Sequence, residues 1–542
     1  MQNTEAYRVD YAESPPEGDG GRGYVRSGVL WLCLLVCGLL VGLCAAIEPA
    51  LAAVAVLGLL VFPVAMRYIH IVILLLAVYT PFEEFLLKWM PVSIAAGLRF
   101  APEALLVVLL MVLVFRNLGR GVWWKKTPID LPVLLFLVFS VLSALAYDVP
   151  AAVWLLGIRE FARYILLYYL VVNTGLTERM MKFLTVALLA AAALEAGIGL
   201  MQLALGNRFS LLLVPRDVVV GGVLVREGFT QVLGGSGRIF GTLGRYSRFG
   251  FFLALFCLLA AGFYVALRDH WTQAHKLSFF AFGAVVAPAM ILSFSRTSWF
   301  ALYAGGIVLL VLARWKKMLL LAIIVPVLAT ALLLSWIALE DWQAAYAEEA
   351  SLSQRFASTF SPEFWDVLFT RGRLFIITRV SPIILREYTW LGLGPGTIGS
   401  IATGGGTNSP GLIPEYSHED WLDVSQVGRA SSLRFMHDVG WVSILAQVGL
   451  LGMGAYLWIL AELVRTALRC YRASADPFVR GLSIGYVALV AAVIVGNFAT
   501  FSLTFRAISM YVWLFGAVVA TFYLRSRREL AGLDTGIGGA GP

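Results

Sequence analysis

Residues 292–299 read LSFSRTSW and separate two apolar runs, one over 277–291 and the other over 299–312. Both runs are near the length that an α-helix needs to cross a bilayer. No acidic residue lies close to Arg296 in the sequence, and an unpaired arginine at a bilayer centre would cost about 3 kcal/mol. The stretch therefore predicts a connection between two membrane helices, with Arg296 at the membrane surface or bound to a ligand.

The composition extends this prediction to the whole chain of 542 residues. It is 60% hydrophobic and 14% charged, and its mean hydropathy is +0.83, a balance that excludes an ordinary soluble protein. We predict an all-α integral membrane protein with about fourteen transmembrane helices. Their predicted spans are 28–47, 49–66, 68–80, 102–115, 130–147, 153–172, 183–204, 247–267, 277–293, 298–313, 318–339, 437–462, 481–499 and 507–524.

The arginines and lysines of the connections predict the orientation, because cytoplasmic loops retain these charges. Counted from a cytoplasmic N terminus, all seven alternate connections are basic. They contain Arg67, 116–126, 179–182, 268–276, 314–317, 465–480 and 525–528. Both termini are therefore predicted in the cytoplasm. The net charge of +8 follows largely from these loops and needs no nucleic-acid partner.

Five parts are predicted along the chain: a disordered cytoplasmic tail over 1–27, transmembrane helices 1–11 over 28–339, a large outer loop over 340–436, helices 12–14 over 437–524 and a cytoplasmic tail over 525–542. Within the loop, RGRLFIITRVSPIILREY (371–388) predicts an amphipathic helix in the membrane interface, kinked or restarted at Pro382. GLGPGTIGS (392–400) follows, a turn whose backbone could approach a ligand closely.

Several arginines fall on the outer side, where the orientation rule does not require positive charge. Arg159 and Arg163 lie four residues apart on one helix face, and three more lie in GRIFGTLGRYSRFG (237–250). Arginine forks suit phosphate oxygens, which indicates an anionic ligand. The alternative is snorkelling to lipid headgroups or pairing with acidic neighbours, namely Glu160, Glu227 and Asp217.

A histidine lies at the outer end of the next predicted helix, in FMHDVGWVSILAQVGLLGMGAYLW (435–458). His437 is a neutral proton acceptor near the outer arginines, whereas His418 in HEDWLD has a solvated setting. Glu195 is the one clear acidic residue within a predicted span and is interpreted as a packing residue. The five cysteines, Cys33, Cys37, Cys44, Cys257 and Cys470, indicate neither disulfides nor a metal site.

The order of these motifs resembles the O-antigen ligase and polymerase superfamily of bacterial envelope glycan assembly. The resemblance covers roughly 230–460. It rests on SFSRTSWFALY (293–303), the large outer loop, the stretch 371–396 and HDVGWVSILAQVGLLG (437–452). It implies a GT-C-like membrane fold in the bacterial inner membrane, with the large loop and the active site in the periplasm. The chain departs from the family at Asp438, at Arg245 and in the spacing from His437 to Gly449.

The resemblance also implies a reaction: inverting transfer of a glycan from a polyprenyl (undecaprenyl) diphosphate carrier to an acceptor sugar hydroxyl, without metal or other cofactor. His437 would be the general base. Arg296 would bind the diphosphate, together with the further candidates Arg373, Arg245, Arg163 and Arg159. A neutral imidazole and preorganised guanidinium groups fit this chemistry.

Several activities remain open within and beyond this family. We favour a polymerase of exopolysaccharide or O-antigen repeat units, whose acceptor is a lipid-linked repeat unit. A ligase onto lipid A core and a transferase to protein acceptors are alternatives, and a transporter or flippase of lipid-linked glycans is the alternative from another class. The expected partners are the lipid-linked donor, the glycan acceptor and membrane lipids, with flippase and chain-length regulator proteins as further candidates.

Overall fold

The computed structural model describes residues 49–91, 95, 98–118, 124–214, 218–220, 223–225, 238–337, 361–370, 372–398, 400 and 436–537. Within these ranges the regular structure is helical except for one antiparallel hairpin, β1 (Val218–Val220) and β2 (Val223–Val225). Eight described helices are long and apolar enough to cross a membrane, and two shorter helices are also apolar. The chain therefore has the architecture of a helical membrane protein. The predicted tail 1–27 and first span 28–47 lie outside the described residues.

The helices before the large loop are α1 (Pro49–Tyr79), α2 (Glu83–Leu87), α3 (Ala101–Leu118), α4 (Asp130–Ala146), α5 (Ala151–Thr174), α6 (Glu178–Leu205), α7 (Asn207–Leu213), α8 (Tyr246–Leu267), α9 (Gln273–Leu292), α10 (Arg296–Leu312) and α11 (Lys316–Ile337). Those in and after the loop are α12 (Pro362–Thr370), α13 (Arg373–Phe375), α14 (Ser381–Glu387), α15 (Gly440–Ala473), α16 (Pro477–Gly496) and α17 (Arg506–Ile537). From 102 onward each predicted span coincides with a helix. The last helix continues beyond the predicted end at 524.

α1 consists of two helical stretches that meet at a kink. Tyr68 leaves the helical region there, with φ −130° and ψ 44°, one residue after Arg67, where the sequence predicts a connection between two spans. Residues from both sides of this break, among them Val61 and Val72, line one apolar cavity of about 530 Å³. The break lies one residue from the predicted connection, and the total of fourteen spans stays a prediction.

Small residues bring the central helices together. A Cβ on Gly262 of α8 would lie 2.5 Å from the Gly485 Cα of α16, and a Cβ on Gly305 of α10 would lie 2.6 Å from the Ala488 carbonyl oxygen. Such close backbone approach is how membrane helices gain dispersion contacts, since lipid supplies no hydrophobic driving force between them. α16 is consequently held between α8 and α10.

The basic connections gather at one end of this bundle. Lys182 Nζ lies 3.2 Å from Asp476 Oδ2 and also contacts the Phe478 ring, which stacks on Phe263 near the end of α8. Arg268 lies over the Trp315 ring. The connections after α5, α8, α10 and α15 therefore share this end, as their arginines and lysines predict.

α15 is interrupted near the opposite end. Gly449 has φ 64° and ψ −168°, and residues 389–394 of the loop fill the interruption. Leu393 and Gly394 donate their amides to the Ala446 and Gln447 carbonyls at 2.7 and 3.0 Å. Beyond the break, the amides of residues 450 and 451 donate to the carbonyls of residues 389 and 390 at 2.9 and 3.2 Å. The loop thereby supplies hydrogen bonds that the broken helix lacks.

The glycine-rich turn also packs closely against neighbouring helices. A Cβ on Gly396 would lie 2.2 Å from the Val153 carbonyl oxygen of α5, and its amide donates to Gln447 Oε1 at 2.8 Å. At 392, 394 and 396 the backbone has positive φ, which glycine adopts without strain. The close approach expected for a ligand is thus made to neighbouring helices.

The predicted amphipathic helix forms, with a restart at the expected place. α13 continues as a π-helix, Ile376–Val380, and α14 begins at Ser381 with Pro382 in its first turn. Its apolar face was expected in the membrane interface. Instead, that face packs on the first turns of α15 in a separate apolar cluster. The cluster contains Ile376, Val380, Ile384, Leu393, Ile398, Met436, Val439, Val442, Leu445 and Ala446.

Candidate functional site

The SFSRTS stretch forms a tight turn in which the three serine hydroxyl groups make local hydrogen bonds. Ser293 Oγ donates to the Met290 carbonyl at 2.6 Å. Ser295 caps α10, accepting the Ser298 amide at 3.4 Å and the Ser298 hydroxyl at 2.6 Å. Arg296 is the first residue of α10, so the turn places it at the helix N-terminus opposite the basic end.

The start of α8 lies directly beside this turn. A Cβ on Gly250 would lie 2.3 Å from Ser293 Oγ and 2.9 Å from Ser298 Oγ. Arg245 is the cap residue of α8 and has extended backbone. Two helix N-termini are therefore adjacent, one beginning after Arg245 and the other at Arg296. A helix N-terminus carries partial positive charge, which favours an anion.

His437 lies in a 3₁₀ turn, Met436–Asp438, immediately before α15. The Val439 amide donates to the Met436 carbonyl at 3.1 Å and closes the turn. The start of α15 is in turn fixed to the connection between α16 and α17, because the Gly440 amide donates to the Thr500 carbonyl at 3.1 Å. The backbone position of His437 is thus defined, while its side chain lies outside the described residues.

Two arginines that the sequence analysis names as diphosphate-binding candidates lie near Asp438 in this turn. Burial raises the pKa of its carboxyl, and the positive charges of Arg373 and then Arg245 oppose that rise. Arg373 begins α13 in the loop, and Arg245 precedes α8. Residues far apart in sequence therefore lie close enough to one carboxylate, next to His437, to act on its charge. Asp438 itself was not assigned a role from the sequence.

Arg159 and Arg163 lie in a different environment. Arg159 Nη2 lies 3.0 Å and Arg163 Nη1 3.2 Å from Glu103 Oε1. Arg506 also binds this oxygen, with Nη2 at 3.0 Å, and its Nη1 binds Glu83. We call these five residues the ion cluster. The pairing alternative is therefore observed for Arg159 and Arg163, but with Glu103 rather than with Glu160.

Of the acidic partners named from the sequence, the structure describes Glu160. Glu160 accepts a hydrogen bond from the Ser400 hydroxyl at 3.3 Å, and Glu227 and Asp217 lie outside the described residues. The roles of Arg159 and Arg163 in diphosphate binding stay predictions. Within the ion cluster three guanidinium groups face two carboxylates, so one positive charge is in excess. Arg163 Nε and two nitrogens of Arg159 are buried without a hydrogen-bond partner in the described structure.

Glu83, Glu103 and Arg506 were missed as site residues. The predicted topology gave one indication for Arg506. It places the start of the last span on the outer side of the membrane, where Arg159 is also predicted. A charged residue at the edge of an apolar run is ordinary by itself, and only the fold shows that Glu103 reaches three arginines.

Glu195 is a packing residue, as the sequence indicates. Its carboxylate accepts the Thr242 amide at 3.1 Å and also binds the Thr242 hydroxyl. Nearby, Gln202 Oε1 accepts the amides of Phe240 and Gly241 at 3.0 and 3.2 Å. α6 therefore anchors the chain just before Arg245.

The apolar cavity of about 530 Å³ lies beside the ion cluster. Its lining includes Tyr79, Leu98 and Pro102, next to Glu103 in the chain. Among the residues described, no group of three or more histidine, cysteine, aspartate or glutamate side chains could hold a metal ion.

A comparison with protein-family models gave no match to the chain, and a search of curated proteins gave none either.

Proposed function

We propose that the protein is a membrane glycosyltransferase that transfers a glycan from a polyprenyl diphosphate carrier to an acceptor sugar hydroxyl. One observation carries the proposal: Arg245 and Arg373 act on the same carboxylate directly after His437. The α8 and α10 N-termini lie side by side, so the Arg296 and Arg245 positions belong to adjacent helix starts. This arrangement suits a diphosphate next to a proton acceptor.

The reaction breaks the bond between the anomeric carbon and the diphosphate oxygen. The acceptor oxygen forms the new bond from the opposite face, and its proton passes to the His437 imidazole. The diphosphate leaves with the bonding electrons. Arg245, Arg296 and Arg373 stabilise this charge, because fixed guanidinium groups in a poorly hydrated site need little reorganisation.

The apolar cavity beside the ion cluster suits the prenyl chain of such a donor. It is lined by aliphatic side chains together with Tyr79 and Pro102, and it would hold hydrocarbon without burying an unsatisfied polar group. In this proposal the cavity holds the chain near the membrane while the arginines bind the diphosphate.

The proposed location is the bacterial inner membrane, with about fourteen spans. The gathered basic connections would face the cytoplasm, by the rule that cytoplasmic loops retain arginine and lysine. The opposite end, with His437 and Arg296, would then face the periplasm. Polymerisation of exopolysaccharide or O-antigen repeat units is the favoured reaction within this class.

The test compares cells that lack the gene and carry either the wild type or His437→Ala. Glycan length is measured on the polyprenyl carrier and on lipid A. Single repeat units accumulating on the carrier in His437→Ala cells support a polymerase with a histidine base. Long chains stranded on the carrier above bare lipid A core indicate a ligase. Normal glycan in His437→Ala cells removes the histidine base and favours the transporter.

A further inference from the structure

We propose that Glu103, Arg163 and Arg506 are positioning residues for the reaction. They hold the turn containing His437 and Asp438 in place through the connection 497–505, which joins α16 to α17. The inference rests on the proposed function of that turn, and it gives the ion cluster a role distinct from direct contact with the donor.

The start of α15 is joined to the connection by two hydrogen bonds and to the last turn of α16 by a third. The Thr500 carbonyl accepts the Gly440 amide at 3.1 Å, and the Asn497 carbonyl accepts the Trp441 amide at 3.3 Å. Trp441 Nε1 donates to the Ile494 carbonyl at 2.9 Å. A Cβ on Gly440 would lie 2.3 Å from Asn497 Oδ1, so no space is left between the two segments. A shift of the connection therefore moves residue 440, three positions from His437.

The connection is irregular but internally braced. Asn497 Oδ1 accepts the Ser502 hydroxyl at 3.2 Å and the Leu503 amide at 3.4 Å. Asn497 and Ser502 are both fully buried. Since this one oxygen joins the two halves of the segment, the connection moves as a unit.

The ion cluster holds the far side of the same connection. The Thr504 carbonyl accepts a hydrogen bond from Arg163 Nη2. Arg506 opens α17 and binds Glu83 and Glu103. These charge-assisted bonds are stronger than neutral ones. The contacts thus run from α3 and α5 through residues 504 and 506 to the start of α15.

Glu103 is the central member, because one of its oxygens lies within 3.2 Å of three guanidinium groups. Removal of its charge leaves like charges facing one another in a buried site. Arg163 and Arg506 would then separate and release the connection. A displacement of about 1 Å at a catalytic group can lower a rate about 100-fold.

Direct donor binding by Arg159 and Arg163 makes the opposite prediction for Glu103. A carboxylate on a phosphate-binding arginine competes with the phosphate, so its loss would tighten donor binding and lower the donor KM. In a positioning role the loss lowers kcat and leaves the donor KM unchanged.

The experiment uses the full-length protein reconstituted in lipid vesicles, with the lipid-linked donor as substrate. Glu103→Gln is compared with Glu103→Asp, which keeps the charge, and with Glu462→Gln as control. The Glu103 and Glu462 side chains are equally exposed, at 14%, and Glu462 binds Arg465 in the second half of α15. The measurements are kcat and KM per folded protein, and the dependence of kcat on pH.

We expect Glu103→Gln to lower kcat by about 10- to 100-fold at an unchanged donor KM. Glu103→Asp should recover part of the rate, and Glu462→Gln should match the wild type. The rise of kcat with pH that depends on the His437 base should be absent in His437→Ala and present in Glu103→Gln, because in the latter variant the base is displaced rather than lost.

A lower donor KM with kcat retained in Glu103→Gln would overturn the inference in favour of direct binding, and so would wild-type kinetics. If Glu103→Gln does not fold, kcat of Arg163→Lys tests the inference instead. This variant keeps the positive charge but not the fork that joins Glu103 to the Thr504 carbonyl, so an unchanged kcat overturns the inference. An inactive wild type on the lipid-linked donor counts instead against the proposed function.

Discussion

Gly392 and Gly449 meet backbone to backbone where the loop enters the break of α15. A Cβ on either residue would lie 2.5 Å from the amide nitrogen of the other. Both residues also have positive φ, 72° and 64°. Their contact joins the unit that carries Arg373 to the helix that follows His437, so the geometry of the proposed site depends on two positions without side chains.

Substitution of Gly449 by alanine should destabilise the protein. The added Cβ would lie 2.3 Å from the Trp390 carbonyl oxygen. The combination of φ 64° with ψ −168° is also essentially restricted to glycine and costs another residue about 1–3 kcal/mol before any clash. Thermal unfolding in detergent should show a lower Tm for Gly449→Ala. Gly454→Ala is the matched control, because a Cβ there meets nothing within 4 Å. Equal Tm values for the two variants would contradict the close contact.

Arg296→Lys should impair glycan transfer even though it conserves charge. Lysine lacks the planar fork that binds phosphate oxygens in pairs, and a lost hydrogen bond to a charged group costs about 1.5–3 kcal/mol. We expect kcat/KM for the lipid-linked donor to fall about 10- to 100-fold, and further in Arg296→Ala. Unchanged activity in both variants would remove Arg296 from the diphosphate site.

Arg245→Gln and Arg373→Gln should each weaken donor use, because both arginines lie near Asp438, next to the proposed base His437, and are proposed to bind the diphosphate. The control is Arg379→Gln on the same loop helix, where the side chain is exposed. Steady-state kinetics over donor concentration should show a loss of about tenfold or more for the first two variants and none for the control. A similar loss in Arg379→Gln would indicate a general effect of loop charge instead.

Asp438→Asn should stabilise the protein in a pH-dependent manner. Burial holds the Asp438 pKa above its ordinary value of 3.8, so the folded state binds its proton more tightly than the unfolded state does. Below 3.8 both states are protonated, and the group contributes no difference. As pH rises through the folded pKa, the wild type loses stability because its buried carboxylate ionises.

The Tm difference between Asp438→Asn and the wild type should therefore be absent at the lowest pH and reach a plateau above the folded pKa. Asp269→Asn, at a side chain that is 84% exposed, serves as the control and should show no comparable dependence. A Tm difference that shrinks with rising pH would contradict the cause assigned to the Asp438 shift.

Apolar run length was sufficient to predict the helices from 102 onward and the gathering of the basic connections, because both depend on local composition. The break in α15 was not predictable in this way. GLLG is compatible with a continuous helix, and only hydrogen bonds from residues 389–394 stabilise the open geometry at Gly449. The amphipathic helix was predicted from its spacing, but its partner was not, since an apolar face suits protein as well as lipid.

The residues of the candidate site also fall into two groups, those with a local sequence signal and those that only the fold brings together. Arg296 and Arg245 belong to local helix starts, which sequence patterns mark well. The contact of Glu103 with Arg506 joins residues 403 positions apart, and no local pattern could pair them. The role of Asp438 depends on Arg245 and Arg373 meeting it in three dimensions.

The interrupted α15 also bears on how the chain is made. Its carbonyls at 446 and 447 receive hydrogen bonds from a segment that the ribosome completes about fifty residues earlier. In the proposed topology that segment has already crossed the membrane when α15 is translated. Because an unpaired carbonyl in hydrocarbon costs several kcal/mol, α15 takes its interrupted form only when this segment is in place to supply the hydrogen bonds, and before that the two carbonyls pair within a continuous helix. Opening of α15 at Gly449 and docking of the translocated loop are therefore one coupled step of folding.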